Sequence, residues 1–376
     1  MKLAVTILLS SVAALLVLGM VMLYSSRMTQ NGAHYLTTQL TWCALGLVAF
    51  VMAASVDYVL LRRLAWPLFG LAVVLLLLVL VPGIGLKINH ARRWLGNQSF
   101  RLQPSELAKL ALIVTLAWYG ERFQRQMGTF GKGIVVPGLF IAVVLALVFK
   151  EPDVGTTMLL ASVAGAMLLV AGARWKFILP PALTALVALG IFLWHDPMRS
   201  RRIFSWLDLE ATKEGVGFQA YQAMLAFGSG GWFGLGLGNS RQKLGFIPEH
   251  HTDFILSVIG EELGLVATLF VVLAFVVIVL CGLFVSLNSR DAFGLLLGSG
   301  ITFLIGLQAF INIGVVTSAL PNKGLPLPFI SYGGSNLLIM LTCVGLLVSV
   351  ARRGRVPLRQ PANPFEAEPA SALPAT

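Results

Sequence analysis

The chain has 376 residues, of which 57% are hydrophobic and 11% charged, with a net charge of +11. A soluble domain carries roughly a quarter charged residues, so the composition excludes an ordinary globular enzyme. Repeated apolar runs of about 20 residues point to an all-α polytopic membrane protein. They assign the positive charge to loops that meet anionic headgroups or a phosphorylated substrate, and not to nucleic acid.

Ten spans are expected, at 3–25, 37–56, 64–82, 104–120, 133–149, 154–172, 176–194, 254–286, 293–318 and 335–351, in one membrane domain of residues 1–355. The first is too long for a signal-peptide core and reads as an uncleaved span. An even number puts both termini on one side. Arg62, Arg63, Arg122, Arg125, Lys132, Arg174, Lys176, Arg290, Arg352 and Arg353 flank that side, which the positive-inside rule makes cytoplasmic. The segment 83–103 breaks the rule: it belongs outside, yet it holds Lys87, Arg92, Arg93 and Arg101. Cations kept against the topology signal suggest phosphate binding. Cys43, Cys281 and Cys343 all lie within apolar runs and suggest neither a disulfide frame nor metal spacing.

In RRWLGNQSFRLQPSELAKL, Pro104 suits a first helical turn, and Glu106 and Lys109 fall on one face. They form either a self-satisfied ion pair or, through Lys109 with Arg93 and Arg101, a pyrophosphate contact. In KEPDVGTT, Asp153 either caps a helix or, with Glu151, forms the wall of a polar cavity or a cation site. The loop 195–253 is the one large extramembrane piece. It begins with a basic amphipathic stretch, DPMRSRRIFSWLDLE, suited to a membrane surface. It continues into a glycine-rich turn that imitates a dinucleotide fingerprint without the strand–helix–strand context; flexible backbone beside a substrate groove is the better reading.

That loop ends in FIPEHHTDFILSVIGEELG, where Asp253 runs into an apolar helix behind His250 and His251. An acid at the mouth of a membrane helix faces a cavity or a partner, although Asp253 could also cap the helix. Ser257 and Glu261 follow at four-residue steps and would extend one polar stripe, with Glu262 beside it. The two histidines resemble metal ligands, but no third has recognisable spacing. The proline- and glycine-rich segment 319–334 cannot be a continuous helix. It reads as a re-entrant loop on the outer side that offers Lys323, Ser331 and Tyr332. Residues 356–376 read as a disordered cytoplasmic tail.

These motifs, in this order between ten spans, closely resemble the SEDS family (shape, elongation, division and sporulation) of peptidoglycan glycosyltransferases, over residues 1 to about 355. The glycine-rich loop before HHTDF and the final SNLL look more like the division-type members, with the elongation type as second choice. The resemblance implies polymerisation of lipid II, an undecaprenyl-pyrophosphate-linked disaccharide-pentapeptide, onto a nascent glycan strand at the septum. It implies an inner-membrane location and a class B penicillin-binding protein and other divisome membrane proteins as partners. The family's catalytic acid maps onto Asp253, its basic residues before QPSE onto Arg93 and Arg101, and its polar helix pair onto Glu106 and Lys109. Lys323 and Ser331 are expected at the substrate, and Glu151, Asp153, His251 and Glu261 in a supporting polar cavity. No cofactor is assigned; a divalent cation such as Mg2+ near the pyrophosphate is the candidate. Inversion at the sugar needs one base and no covalent intermediate. A transporter that flips the same lipid is the competing reading, since ionisable residues between helices also fit a transport path.

Overall fold

The structure, a computed structural model, describes residues 1–26, 32–88, 91–96, 101–240 and 252–354. Its helices are α1 (Lys2–Ser26), α2 (Gly32–Ser55), α3 (Leu60–Leu80), α4 (Pro104–Arg122), α5 (Val136–Lys150), α6 (Val154–Val170), α7 (Trp175–His195), α8 (Pro197–Leu207), α9 (Phe218–Gly230), α10 (Ile255–Leu287), α11 (Ala292–Val316) and α12 (Gly334–Arg353). All except α8 and α9 coincide with the ten expected spans. Among the described residues eight helices are long and apolar enough to cross a membrane. Of the other two expected spans, α6 has 17 residues, and α4 carries Glu106, Lys109, Glu121 and Arg122. The chain is an all-α polytopic membrane protein.

Burial grades the helices. α11 and α12 are mostly enclosed, with α12 against α2 and α11 between α10, α4 and α6. α7 lies outermost, and none of its described residues is buried. Local sequence sets the ends. Pro104 starts α4, where its missing N–H is not needed. Asp153 caps α6 by accepting from Thr156 N at 3.0 Å, and Asp291 caps α11 by accepting from Gly294 N at 2.8 Å.

The expected loop 83–103 contains a small antiparallel sheet that the helical reading did not include. Its strands are β1 (Leu86–Ile88), β2 (Ala91–Gly96) and β3 (Arg101–Leu102), in the order β1-β2-β3. A hairpin satisfies the backbone of a short charged segment that can extend neither neighbouring helix.

The long helix α10 is broken at Gly264, where φ is 80° and ψ −173°. The backbone groups freed there are taken up by the glycine-rich turn after α9. Leu235 N donates to Glu261 O and Gly236 N to Glu262 O, both at 2.9 Å. Leu265 N and Val266 N donate back to Gly231 O and Trp232 O at 2.9 and 3.3 Å. The glycines have a steric purpose: a Cβ on Gly234 would lie 2.2 Å from Glu262 O.

Gly264→Ala would set a Cβ 2.4 Å from Gly234 N in a left-handed backbone. We expect it to lower the thermal midpoint of the purified protein by several degrees and to reduce yield. Gly70→Ala, in α3 with nothing within 4 Å of the added carbon, should be neutral or stabilising by about 0.5–1 kcal/mol. Equal midpoints for the two variants would contradict the role given to the break.

Candidate active site

A cavity of about 880 Å³ opens where the starts of α6, α10 and α12 meet β2, α8, the start of α9 and the segment after α11. Six charged side chains line it: Arg93, Glu106, Asp153, Arg202, Asp253 and Lys323. All six sit at one end of the bundle.

Asp253 is half-buried, and its surroundings hold it from the backbone. The helix-capping position of α10 belongs to Phe254, not to Asp253. Asn312 of α11 donates through Nδ2 to Asp253 O at 2.8 Å and to Leu325 O at 2.7 Å. Ser331 Oγ donates to Thr252 O at 2.6 Å and accepts from Leu327 N at 2.8 Å. The turn carrying Asp253 is thus tied to α11 and to the segment 321–333. On the side-chain side, a Cβ on Gly324 would lie 2.4 Å from Asp253 Oδ2, so glycine there is what lets the carboxylate sit against the loop.

Glu106 and Lys109 are paired at 2.8 Å, with Lys109 Nζ wholly enclosed. Lys109 also donates to Gln308 Oε1 at 2.9 Å, and Asn336 Nδ2 donates to Glu106 Oε2 at 2.9 Å. Gln308 Nε2 passes the network on to Pro326 O at 2.9 Å. Glu106 reaches the cavity wall but Lys109 does not. The expected contact of Lys109 with a pyrophosphate is therefore replaced by a buried ion pair with both remaining partners supplied by amides, because the ammonium points into the bundle.

Arg93 bridges β2 and the turn before α6. Its Nε donates to Glu151 O at 2.8 Å and one terminal nitrogen to Pro152 O at 2.7 Å, while the other lies 3.8 Å from Asp153 Oδ2. Asp153 lines the cavity and also accepts from Thr156 Oγ1 at 2.9 Å. Glu151 is fully enclosed, and neither carboxylate oxygen has a hydrogen-bond partner. Burial, reinforced by the Asp153 charge and opposed by Arg93, pushes its pKa up to about 8.

The remaining expected residues separate. Arg101 is exposed and away from the cavity; its carbonyl accepts from Ser335 Oγ at 3.0 Å. Ser331 is buried and braces the Asp253 turn without lining the cavity. Lys323 lines it and lies against Met158 Sδ. Glu261 does not continue a stripe from Asp253, because the helix begins only at Ile255 and its register turns Glu261 toward the glycine-rich turn, where Ser240 Oγ donates to it. Glu262 accepts from Ser25 Oγ at 2.5 Å and Ser240 N at 3.3 Å. His251 lies outside the described residues.

Sequence reasoning missed Gln308, Asn312, Asn336 and Arg202. Gln308 and Asn312 were findable: two amides four apart in an apolar helix share one face. Arg202 was hidden among the basic residues of an amphipathic stretch. For a divalent cation, no group of three His, Cys, Asp or Glu converges among the described residues. Asp153 and Asp253 are the fitting hard ligands, and a bound diphosphate would have to supply most of the rest.

A family model described as a cell cycle protein, named for FtsW, RodA and SpoVE, matches residues 3–356. A protein of Geobacter metallireducens, named probable peptidoglycan glycosyltransferase FtsW, is 42% identical over 90% of this chain and 92% of its own length. One of the same name from Methylococcus capsulatus is 39% identical over 92% and 89%. Among solved structures, a chain from a peptidoglycan synthase complex, in work on how polymerization and crosslinking are coordinated, superposes with a TM-score of 0.79. It is 29% identical and covers 93% of this chain and 98% of that one. The rod shape determining protein RodA of Thermus thermophilus superposes with a TM-score of 0.69, at 29% identity over 92% and 95%.

The raised pKa of Glu151 has a signed consequence. The folded protein binds this proton more tightly than the unfolded chain, so the stability Glu151 contributes is full below pH 4.5 and is lost as pH rises through 8. In the purified protein, Glu151→Gln should flatten that fall, by an amount on the order of a few kcal/mol. The check is the difference in thermal midpoint between the two proteins at pH 5 and pH 8; a difference that does not change with pH would contradict a buried neutral Glu151.

Proposed function

This chain belongs to the FtsW/RodA/SpoVE family of cell cycle proteins, and we propose that it is a peptidoglycan glycosyltransferase of the FtsW kind, polymerising lipid II during septal wall synthesis. The observation that carries the mechanism is Asp253, presented into a polar cavity on a turn fixed from α11.

The reaction joins a sugar hydroxyl of one lipid-linked substrate to the anomeric carbon of another, and a polyprenyl diphosphate leaves. A carboxylate in hydrogen-bond reach of the hydroxyl takes its proton as the new bond forms. Asp253 has the position for this. Its turn is held by backbone contacts, which place the residue at the cavity. Charge grows on the departing diphosphate, and cations lining the cavity oppose it. Arg93 and Lys323 line the cavity and supply part of that charge. Glu106 and Asn336, with Asp153, offer acceptors and donors to sugar hydroxyls. Inversion in a single displacement needs no second carboxylate as nucleophile. A lipid-borne substrate explains why the site is built into a membrane bundle.

A flipping path would need polar groups through the depth of the bundle. The charged side chains that line the cavity are gathered at one end of it, which favours polymerisation. We assign that end to the extracytoplasmic face, because Arg62, Arg63, Arg122, Arg174, Arg290 and Arg352 all flank the helix ends away from the cavity. Both termini then lie in the cytoplasm. A class B penicillin-binding protein is the proposed partner, as a solved structure similar to this chain comes from a peptidoglycan synthase complex.

Two tests follow. Asp253→Asn keeps size and polarity, and in the purified protein it should fold normally yet polymerise lipid II about 10²–10⁴-fold more slowly. Gly324→Ala should displace the carboxylate and lose roughly 10²-fold with the fold intact. Wild-type rates for Asp253→Asn would falsify the mechanism. For orientation, Glu214→Cys and Arg290→Cys, both exposed, are compared in cells lacking the native cysteines, with the outer envelope made permeable. An impermeant thiol reagent should label the first and spare the second; the reverse pattern would invert the topology.

A further inference from the structure

The reaction proposed above needs a place for a lipid-borne diphosphate, and the expected cations are largely committed elsewhere. Lys109 is sealed in its ion pair, and Arg101 is off the cavity. Of the described cavity cations, Arg93 spends two of its nitrogens on the carbonyls of Glu151 and Pro152, and Lys323 lies against Met158 Sδ. Arg202 lines the same cavity from α8, and its guanidinium has neither a carboxylate nor a carbonyl partner among the described residues.

Leu193 at the end of α7, Ile203 next to Arg202 on α8, and Val216, Phe218 and Gln219 before and in α9 also line the cavity. Arg93, Glu106, Asp153, Asp253 and Asn336 line the same cavity. The cavity thus combines polar groups with apolar side chains that a hydrocarbon could contact, and Arg202 lines it beside both. α8 is fixed in this position, since Trp206 Nε1 donates to Ser318 O at 2.9 Å and Ser205 is buried. An exposed arginine fork with apolar cavity residues nearby matches a phosphate attached to a hydrocarbon chain better than it matches a sugar or a peptide.

We propose that Arg202, on the surface helix α8, binds the diphosphate of the polyprenyl-linked substrate, with the apolar residues around it receiving the first units of the lipid chain. The proposal rests on the reaction assigned above. The same chemistry could come from an anionic phospholipid headgroup, and the test separates the two sources.

The test measures equilibrium binding of undecaprenyl diphosphate to the purified full chain in a neutral detergent without phospholipid, in the Asp253→Asn background, for Arg202, Arg202→Lys, Arg202→Ala and Arg202→Gln. Two charge-free variants are included so that a folding defect in one does not remove the comparison, and thermal midpoints accompany each. Loss of a charge-assisted contact should weaken binding roughly ten- to hundredfold for Arg202→Ala and Arg202→Gln, with Arg202→Lys keeping a substantial part. Unchanged affinity would overturn the proposal. So would a loss that appears only in phosphatidylcholine nanodiscs containing phosphatidylglycerol, which would assign Arg202 to the bulk lipid. With Asp253 intact, Arg202→Ala should raise the KM for lipid II by a similar factor and change kcat far less. Normal binding by Arg202→Ala beside an inactive, folded Asp253→Asn would reject the subsite and leave the reaction standing. Polymerisation by Asp253→Asn would reject the reaction, while the binding comparison would still report on Arg202.

Discussion

A charge pair sealed inside an apolar bundle is tolerated only when every remaining donor and acceptor finds a partner, and the ion pair of Glu106 with Lys109 meets that condition through α11 and α12. Gln308 takes the ammonium, Asn336 takes the carboxylate, and Gln308 turns its amide nitrogen to Pro326 O. One turn further along α11, Asn312 repeats the arrangement with the carbonyls of Leu325 and Asp253. A single face of α11 thus holds the ion pair behind the cavity, the irregular segment beside it and the turn that presents Asp253. Removing Lys109 alone would strand a buried carboxylate at a cost of roughly 3–5 kcal/mol and disturb all three.

The same constraint governs the backbone. A membrane interior supplies no water to unpaired amides, yet this bundle needs non-helical chain at the cavity end to shape a polar site. It meets the need in three ways. The strands β1 to β3 pair with one another. The segment 321–333 is held by side-chain amides and by Ser331. The break in α10 is sealed by the glycine-rich turn, whose backbone replaces the missing helical bonds. Together these devices let a carboxylate and several cations face one space.

The helices were legible because apolar runs of membrane length are the strongest signal a sequence carries. The amphipathic α8 was legible for the same reason, through its alternating basic and apolar residues. The strands were not, since β2 is short, charged and set between two spans, with its register fixed only by pairing. Asp253 could be singled out from its cost at a helix mouth. Glu261 was misplaced because four-residue spacing was counted from a residue that precedes the helix. Lys109 was open between an ion pair and a phosphate contact for a related reason. Only the direction of its side chain, into the bundle, places it in the pair with Glu106 and Gln308. Gln308 and Asn312 were overlooked because uncharged amides attract less notice than acids, although in an apolar helix they are just as informative.

The claim that organises this account is that the reacting sugars meet at Asp253. A structure of the purified chain by electron cryomicroscopy with bound lipid II, in the Asp253→Asn variant to prevent turnover, tests it most directly. The account predicts a sugar hydroxyl within about 3 Å of the residue 253 side chain and the diphosphate on the cation-lined side of the same cavity. A substrate bound elsewhere on the bundle, or one whose sugars lie beyond reach of residue 253, would contradict it.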